Sequence, residues 1–312
     1  MDINEQYLEA ATIINGAGGT PLQVNETLVQ IIKELVEEEE INMILAFKEK
    51  TSQTMEQLKE SSGLPEAEIE EKTTALAKKG IIFNQPNSKG VMVFRLLPLV
   101  NVGVFEYTFM QKLEPTEKNK KIAGLFTQLF QEMDGFVQSI YDGVVQHMDN
   151  MPAVDRTVPI QTNKTTGDSM IIEINQDVSR ESADQVLQTQ NVKDLIEKFD
   201  EIAVGHCFCR HHKDMEGRSC KQTDMRENCF TFGKSARFTS EQGFMRMIGK
   251  EEALEIILKS QEDGLVHKVF HPNFDTTRDE TSICNCCKCC CGNSIDNQIG
   301  PIVNAEIGRA HV

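Results

Sequence analysis

Six of the eight residues from Cys284 to Cys291 are cysteines (Cys284, Cys286, Cys287, Cys289, Cys290 and Cys291). No other feature constrains the chain as much. Neighbouring side chains point in different directions along any regular backbone, so no single buried face accommodates all six. The other four of the ten cysteines, Cys207, Cys209, Cys220 and Cys229, lie between residues 207 and 229, and none occurs earlier. Thiols at this density either gather a soft metal as thiolates or oxidise with one another. A disulfide scaffold belongs to small secreted chains. This chain has 312 residues and opens Met1-Asp2-Ile3-Asn4-Glu5, with neither a basic nor an apolar leader segment. All ten cysteines are therefore read as metal ligands in a chain expected to be cytoplasmic, where thiols stay reduced.

A net charge of −16 argues against general affinity for nucleic acid or for an anionic membrane. The most apolar stretch, residues 91–105, is broken by Arg95, Pro98 and Asn101, so no membrane insertion is expected. The expected fold class is α+β and mainly helical, with an N-terminal winged-helix-like domain followed by an α/β cysteine-rich metal-binding domain.

Residues 1–26 read as a flexible N-terminus. The sequence Gly16-Ala17-Gly18-Gly19-Thr20-Pro21 lacks the context of a phosphate loop. From Thr27, Leu28, Ile31, Ile32, Leu35 and Val36 recur at helical spacing, and a second helix follows the acidic run Glu37–Glu40. Thr54-Met55-Glu56-Gln57 is a capping box for a helix ending near Gly63. Pro65 opens another helix that stops at Gly80. Residues 81–83 and 91–94 form a hairpin, completing a winged-helix-like domain over 27–96. Residues 1–100 hold 16 acidic and 9 basic residues, and the helix placed for a DNA groove carries Glu66, Glu68, Glu70 and Glu71. DNA is thus an unexpected partner. A helical connector is expected over 97–150, with Ile122, Leu125, Phe126, Leu129, Phe130 and Met133 on one helix and Val137, Ile140, Val144 and Val145 on a second. In the cysteine-rich region, 151–300, residues 158–160 and 170–174 read as strands and Ser182 as the cap of a helix toward Phe199. The strand Ile202-Ala203-Val204 presents His206, Cys207 and Cys209 just past its end. Cys220 and Cys229 are placed across polar loops.

Zinc prefers separated Cys-x2-Cys pairs, four ligands per ion, often with histidine, and His206, His211 and His212 keep it possible. An iron–sulfur cluster needs four thiolates, and ten cysteines serve one or two clusters. Arg210, Lys213, Arg218 and Lys288 would offset the thiolate charge. Spacing favours iron–sulfur over zinc only modestly.

The segments Ala203-Val204-Gly205-His206-Cys207-Phe208-Cys209-Arg210, Cys220, Cys229-Phe230-Thr231-Phe232-Gly233 and Ile283-Cys284-Asn285-Cys286-Cys287-Lys288-Cys289-Cys290-Cys291 are similar to a family of anaerobe iron–sulfur proteins of the 4Fe–4S ferredoxin type. The resemblance runs from about Leu28 to Val303. It implies a winged-helix-like region, this cysteine-rich module, a 4Fe–4S cofactor and a redox partner protein. The sequence holds no Ser-His-Asp set, phosphate loop or nucleotide fingerprint, so catalysis beyond electron transfer is not expected. Two alternatives are a redox- or metal-sensing regulatory protein that uses the winged helix, and a zinc-binding structural module. The ferredoxin module that ends such proteins is missing here. The last residues, Glu306-Ile307-Gly308-Arg309-Ala310-His311-Val312, read as translated sequencing-adapter DNA. The expectation is a truncated ferredoxin-type protein, with 301–312 a tail, 306–312 non-native and the natural gene continuing into the ferredoxin module.

Overall fold

The computed structural model describes residues 2–18, 24–100, 102–139, 155–157, 192–271 and 281–291. The chain begins with α1 (Ile3–Gly16), where a flexible segment was expected. Asp2 and Glu5 form a capping box, and Tyr7, Ala10, Ala11 and Ile14 are buried at helical spacing. The face escaped the sequence reading because alanines make up half of it, and their hydropathy signal is weak. The Tyr7 hydroxyl donates to the Val36 carbonyl at 2.9 Å, tying α1 to the chain after α2 (Glu26–Leu35).

Helix α3 (Glu38–Leu45) leads to a short strand, β1 (Ser52–Thr54), and then to α4 (Met55–Ser62). The capping box read at Thr54 and Gln57 is present, and Gly63 ends α4 in the left-handed conformation. After α5 (Glu66–Lys78), strands β2 (Ile82–Pro86) and β3 (Met92–Leu96) form the expected hairpin. β1 was not foreseen. It adds to β3 antiparallel, giving a sheet of order β1-β3-β2.

Two further helices, α6 (Val104–Met110) and α7 (Glu117–Ser139), bury Phe105, Phe109, Ile122, Phe126 and Phe130 in the same core as α1, α2 and α3. Val137 belongs to α7 itself, not to a second helix; Ile140, Val144 and Val145 lie outside the described residues. So do the strands read at 158–160 and 170–174, the cap at Ser182, and residues 301–312.

The second sheet has the order β4-β8-β9-β6-β5-β7. Its strands are β4 (Asp155–Thr157), β5 (Ile202–His206), β6 (Glu227–Phe232), β7 (Arg246–Ile248), β8 (Val266–Phe270) and β9 (Ser282–Cys286). Every pairing is antiparallel, so the cysteine-rich part is α+β, a correction to the α/β expectation. An α/β sheet needs parallel strands joined by crossovers, and none of the described pairs is parallel. Helices α8 (Val192–Lys198) and α11 (Lys250–Glu262) cover one face through Leu195, Ile196, Ala253 and Ile257. Helices α9 (Phe208–Met215) and α10 (Lys234–Glu241) connect the sheet to the N-terminal elements.

That connection is apolar. Ala77, Leu97, Tyr107 and Met110 share a cluster with Ala203, Phe238, Phe244 and Met245. Tyr107 stacks on Phe244 with ring centroids 5.1 Å apart, and Phe83 of β2 meets Phe238 at 4.5 Å. Among the described residues no helix is long and apolar enough to cross a membrane.

Candidate metal centre

All ten cysteines carry free thiols, and the antiparallel pairing of β5, β6, β8 and β9 gathers them at one end of the sheet. Where β5 meets β6, the register shifts between Gly205 and His206. Such an irregularity bends a strand and re-aims the residues that follow it. Cys207 then caps the start of α9, and its amide donates to the Arg226 carbonyl at 2.7 Å. Cys209 lies two residues further in, on the same first turn, so both thiols sit at a helix N-terminus, where peptide dipoles favour a thiolate, although Cys207 and Cys291 push the Cys209 thiol up.

Cys229 lies on β6 and not in a loop; its Sγ is 4.0 Å from Cys284 Sγ on β9. Cys284 and Cys286 flank Asn285 on β9, so alternation sends both thiols to one face and the amide to the other. The chain then turns, bringing Cys287, Cys289 and Cys290 together. Cys220 joins them from the loop after α9, its Sγ 3.5 Å from Cys289 Sγ, while Cys289 and Cys290 are 3.6 Å apart. The sulfurs of Cys220, Cys287, Cys289 and Cys290 all lie within 4.8 Å of one another, close enough to hold a metal ion. Gln222 fastens the Cys220 loop to this turn. Its Oε1 accepts from the Lys288 amide at 3.0 Å, and its Nε2 donates to the Gly264 carbonyl at 2.7 Å.

The thiols not in that foursome also have thiol neighbours. Cys209 adjoins Cys207 and Cys291, and Cys286 adjoins Cys291. Their acidities are pulled apart. The Cys290 thiol and then Arg210 bring Cys287 down to about 4, while Cys287 pushes Cys290 up. Cys207 is lowered to about 7, first by Cys209 and then by the Arg210 charge and amide.

By sequence Arg210 is only a charge next to Cys209, but its side chain is the centre of the site. It is 0 % exposed. Nη1 donates to the Asn285 carbonyl at 3.0 Å, Nη2 donates to Asn228 Oδ1, and the guanidinium also meets the Cys287 thiol. Among the described residues it makes no ion pair with a carboxylate. Burial opposes its charge, yet Cys207, Cys287 and Cys220 outweigh that and hold its pKa above the ordinary value. Asn285 Nδ2 donates to the Asn228 carbonyl at 2.5 Å, and His267 Nδ1 pairs with Asn285 Oδ1 at 2.5 Å. This polar layer backs the thiols.

The histidines weighed as zinc ligands have other uses. His211 Nδ1 meets the Phe109 carbonyl at 2.9 Å, and its Nε2 accepts from the Leu113 amide at 3.4 Å. His212 Nε2 meets the Ala123 carbonyl at 2.9 Å amid Phe105, Phe109 and Phe130. Both therefore bind α9 to the N-terminal core. His206 lies against His211, with ring centroids 4.8 Å apart.

Burial depresses the His212 pKa to about 4; the Ala123 carbonyl and Glu216 oppose the shift, while Lys213 and Arg218 add to it. Between pH 6.5 and 4 the unfolded chain takes up a proton here that the folded chain refuses, so stability falls as pH falls. The full loss at this residue is about 3 kcal/mol. Urea unfolding across that window should show a shallower acid slope for His212→Gln, whose amide keeps a donor for Ala123, than for the native chain. Equal slopes would remove His212 as a source of acid lability.

Comparison with protein-family models, curated proteins and solved structures gives no match to this chain.

Proposed function

We propose that the protein is an iron–sulfur electron-transfer protein of the 4Fe–4S type, working with a redox partner protein in a reducing compartment such as the cytoplasm. One observation carries the reading: Arg210 is fully buried, meets the Cys287 thiol and, among the described residues, pairs with no carboxylate. A guanidinium is always charged, and an uncompensated buried charge is prohibitively costly. Its compensation comes from thiolates, and thiolates persist in such crowding when a metal ligates them. Ten cysteines also exceed the four ligands that one zinc ion takes.

An iron–sulfur cluster supplies one-electron redox chemistry at a potential tuned by nearby charge. The chain's own residues would hold it by thiolate ligation. Arg210 would favour the more negative, reduced state, and the sheet end would keep the ligands fixed as one electron enters from a donor and leaves to an acceptor.

Protein made and purified without oxygen should be brown, with about four iron and four acid-labile sulfide per cluster. A colourless product carrying only zinc, from a host competent in cluster assembly, would defeat the proposal.

The order α3-β1-α4-α5-β2-β3 supports a winged-helix-like reading of the N-terminal part. Its details favour docking or scaffolding over DNA. Glu66, Glu70 and Glu71 on α5 are exposed. The β2–β3 hairpin is engaged elsewhere: Lys234 Nζ donates to the Pro86 carbonyl at 3.0 Å, and Gln85 Nε2 donates to Glu241 at 2.6 Å. Phosphate contacts dominate DNA affinity, so the full chain should show no sequence-specific binding at physiological salt. Recovery of a tightly bound site by selection from random duplexes would instead favour the regulatory reading.

A further inference from the structure

We infer that the ten cysteines form two metal centres, not one. Cys220, Cys287, Cys289 and Cys290 hold a single zinc or ferrous ion. Cys207, Cys209, Cys229, Cys284, Cys286 and Cys291 supply the ligands of the iron–sulfur cluster, and Arg210 lies between the two sets. The inference rests on the metal-binding reading above and assigns each ligand within it.

Sulfur spacing separates the sets. Around one tetrahedral ion with metal–sulfur bonds of about 2.3 Å, ligand sulfurs stand about 3.8 Å apart. The Cys220–Cys289 and Cys289–Cys290 distances of 3.5 and 3.6 Å match that, as does the 4.8 Å limit over all four sulfurs. A cubane places each ligand on a different iron, so its thiolates must stand further apart. Among the described residues the other thiols form no comparably compact group. They come from the start of α9, from β6, from β9 and from the end of the cysteine run, and they adjoin in a chain: Cys207 to Cys209, Cys209 to Cys291, Cys291 to Cys286, with Cys229 against Cys284. Six donors leave two beyond the four that a cubane requires.

The supports differ as well. The foursome hangs on a turn and a loop pinned through Gln222, whereas Cys229, Cys284 and Cys286 lie on sheet strands. Arg210 is common to both sets through Cys287 and Cys220 on one side and Cys207 on the other. One cation thereby compensates two anionic centres. The single ion staples the turn after β9, and the cluster carries the electron.

The test compares iron, zinc and acid-labile sulfide per chain, with visible absorbance, in full-length protein reconstituted without oxygen. Cys289→Ser should lose one equivalent of sulfide-free metal and keep its sulfide and cluster absorbance. The double variant Cys209→Ser with Cys286→Ser should lose sulfide and absorbance and keep that one ion. Gln222→Ala, which removes no ligand, should weaken the single ion about tenfold in a chelator competition and leave sulfide unchanged. Loss of sulfide in step with metal in both Cys289→Ser and Gln222→Ala would overturn the two-centre assignment while leaving the iron–sulfur reading intact. Native protein without sulfide would defeat the iron–sulfur reading. Cobalt titration of that protein would then decide the division: two classes of thiolate site retain it, and one class ends it. Should the cysteine variants fail to fold, the Gln222→Ala competition and the cobalt titration of native protein give the same decision.

Discussion

Arg210→Met is expected to abolish stable metal loading. The native guanidinium is wholly buried, donates to Asn285 and Asn228, and faces thiols of both groups. Removing it leaves metal–thiolate centres with uncompensated negative charge in a dry site, a loss of about 3–5 kcal/mol for a broken buried pair. The loss should be smaller without metal. Cys287 stays ionised beside the guanidinium, so methionine there still removes one buried pair and leaves acceptors open on Asn228 and Asn285. The measurement is metal and sulfide content together with unfolding of loaded and metal-free protein. Arg210→Lys keeps the charge and loses the two-pronged donation, so partial loading with a shifted potential is expected. If Arg210→Met loads fully and unfolds like the native protein in both states, Arg210 is not the counter-charge of the thiolates.

Gly80→Ala should cost about 3 kcal/mol or more, whereas Gly63→Ala should cost about 1 kcal/mol. Both glycines end helices in the left-handed region, with φ of +71° and +68°, so a side chain strains each backbone alike. Only the first is crowded. A Cβ on Gly80 would lie 2.4 Å from Tyr107 Cβ, whereas around Gly63 nothing stands within 4 Å. Tyr107 cannot yield freely because its ring stacks on Phe244 and meets Phe238 edge-on at 5.6 Å. The clash therefore pushes α6 off the apolar seam between the N-terminal elements and the cysteine-bearing sheet. Chemical denaturation of both variants gives the comparison, and equal costs would mean that the seam adjusts without penalty.

Much of the N-terminal architecture was legible in the residues. Leu28, Ile31 and Ile32 repeat at helical spacing and are buried on α2, and Thr54 with Gln57 caps α4. These signals are local, because helical periodicity and capping involve residues a few positions apart. The strands were harder. Residues 227–232 look polar at one end and apolar at the other, yet β6 is buried on both faces, so the alternation that marks a half-exposed strand is missing. β1 has three residues and exists through its pairing with β3.

The cysteines show the same division. Their number and crowding already pointed to a soft metal, since no packing arrangement has use for six thiols in eight residues. Their grouping could not be read from spacing. Adjacent Cys290 and Cys291 join different sets, while Cys220 reaches across 69 positions to Cys289. Strand register and the turn after β9 decide that, and both are fixed by pairing between distant segments. Arg210 is the plainest case. By itself the sequence determined a permanent cation beside a cysteine, and only the tertiary structure withdrew it from water and left thiolates as its counter-charge, because burial belongs to the packed chain and to no residue alone.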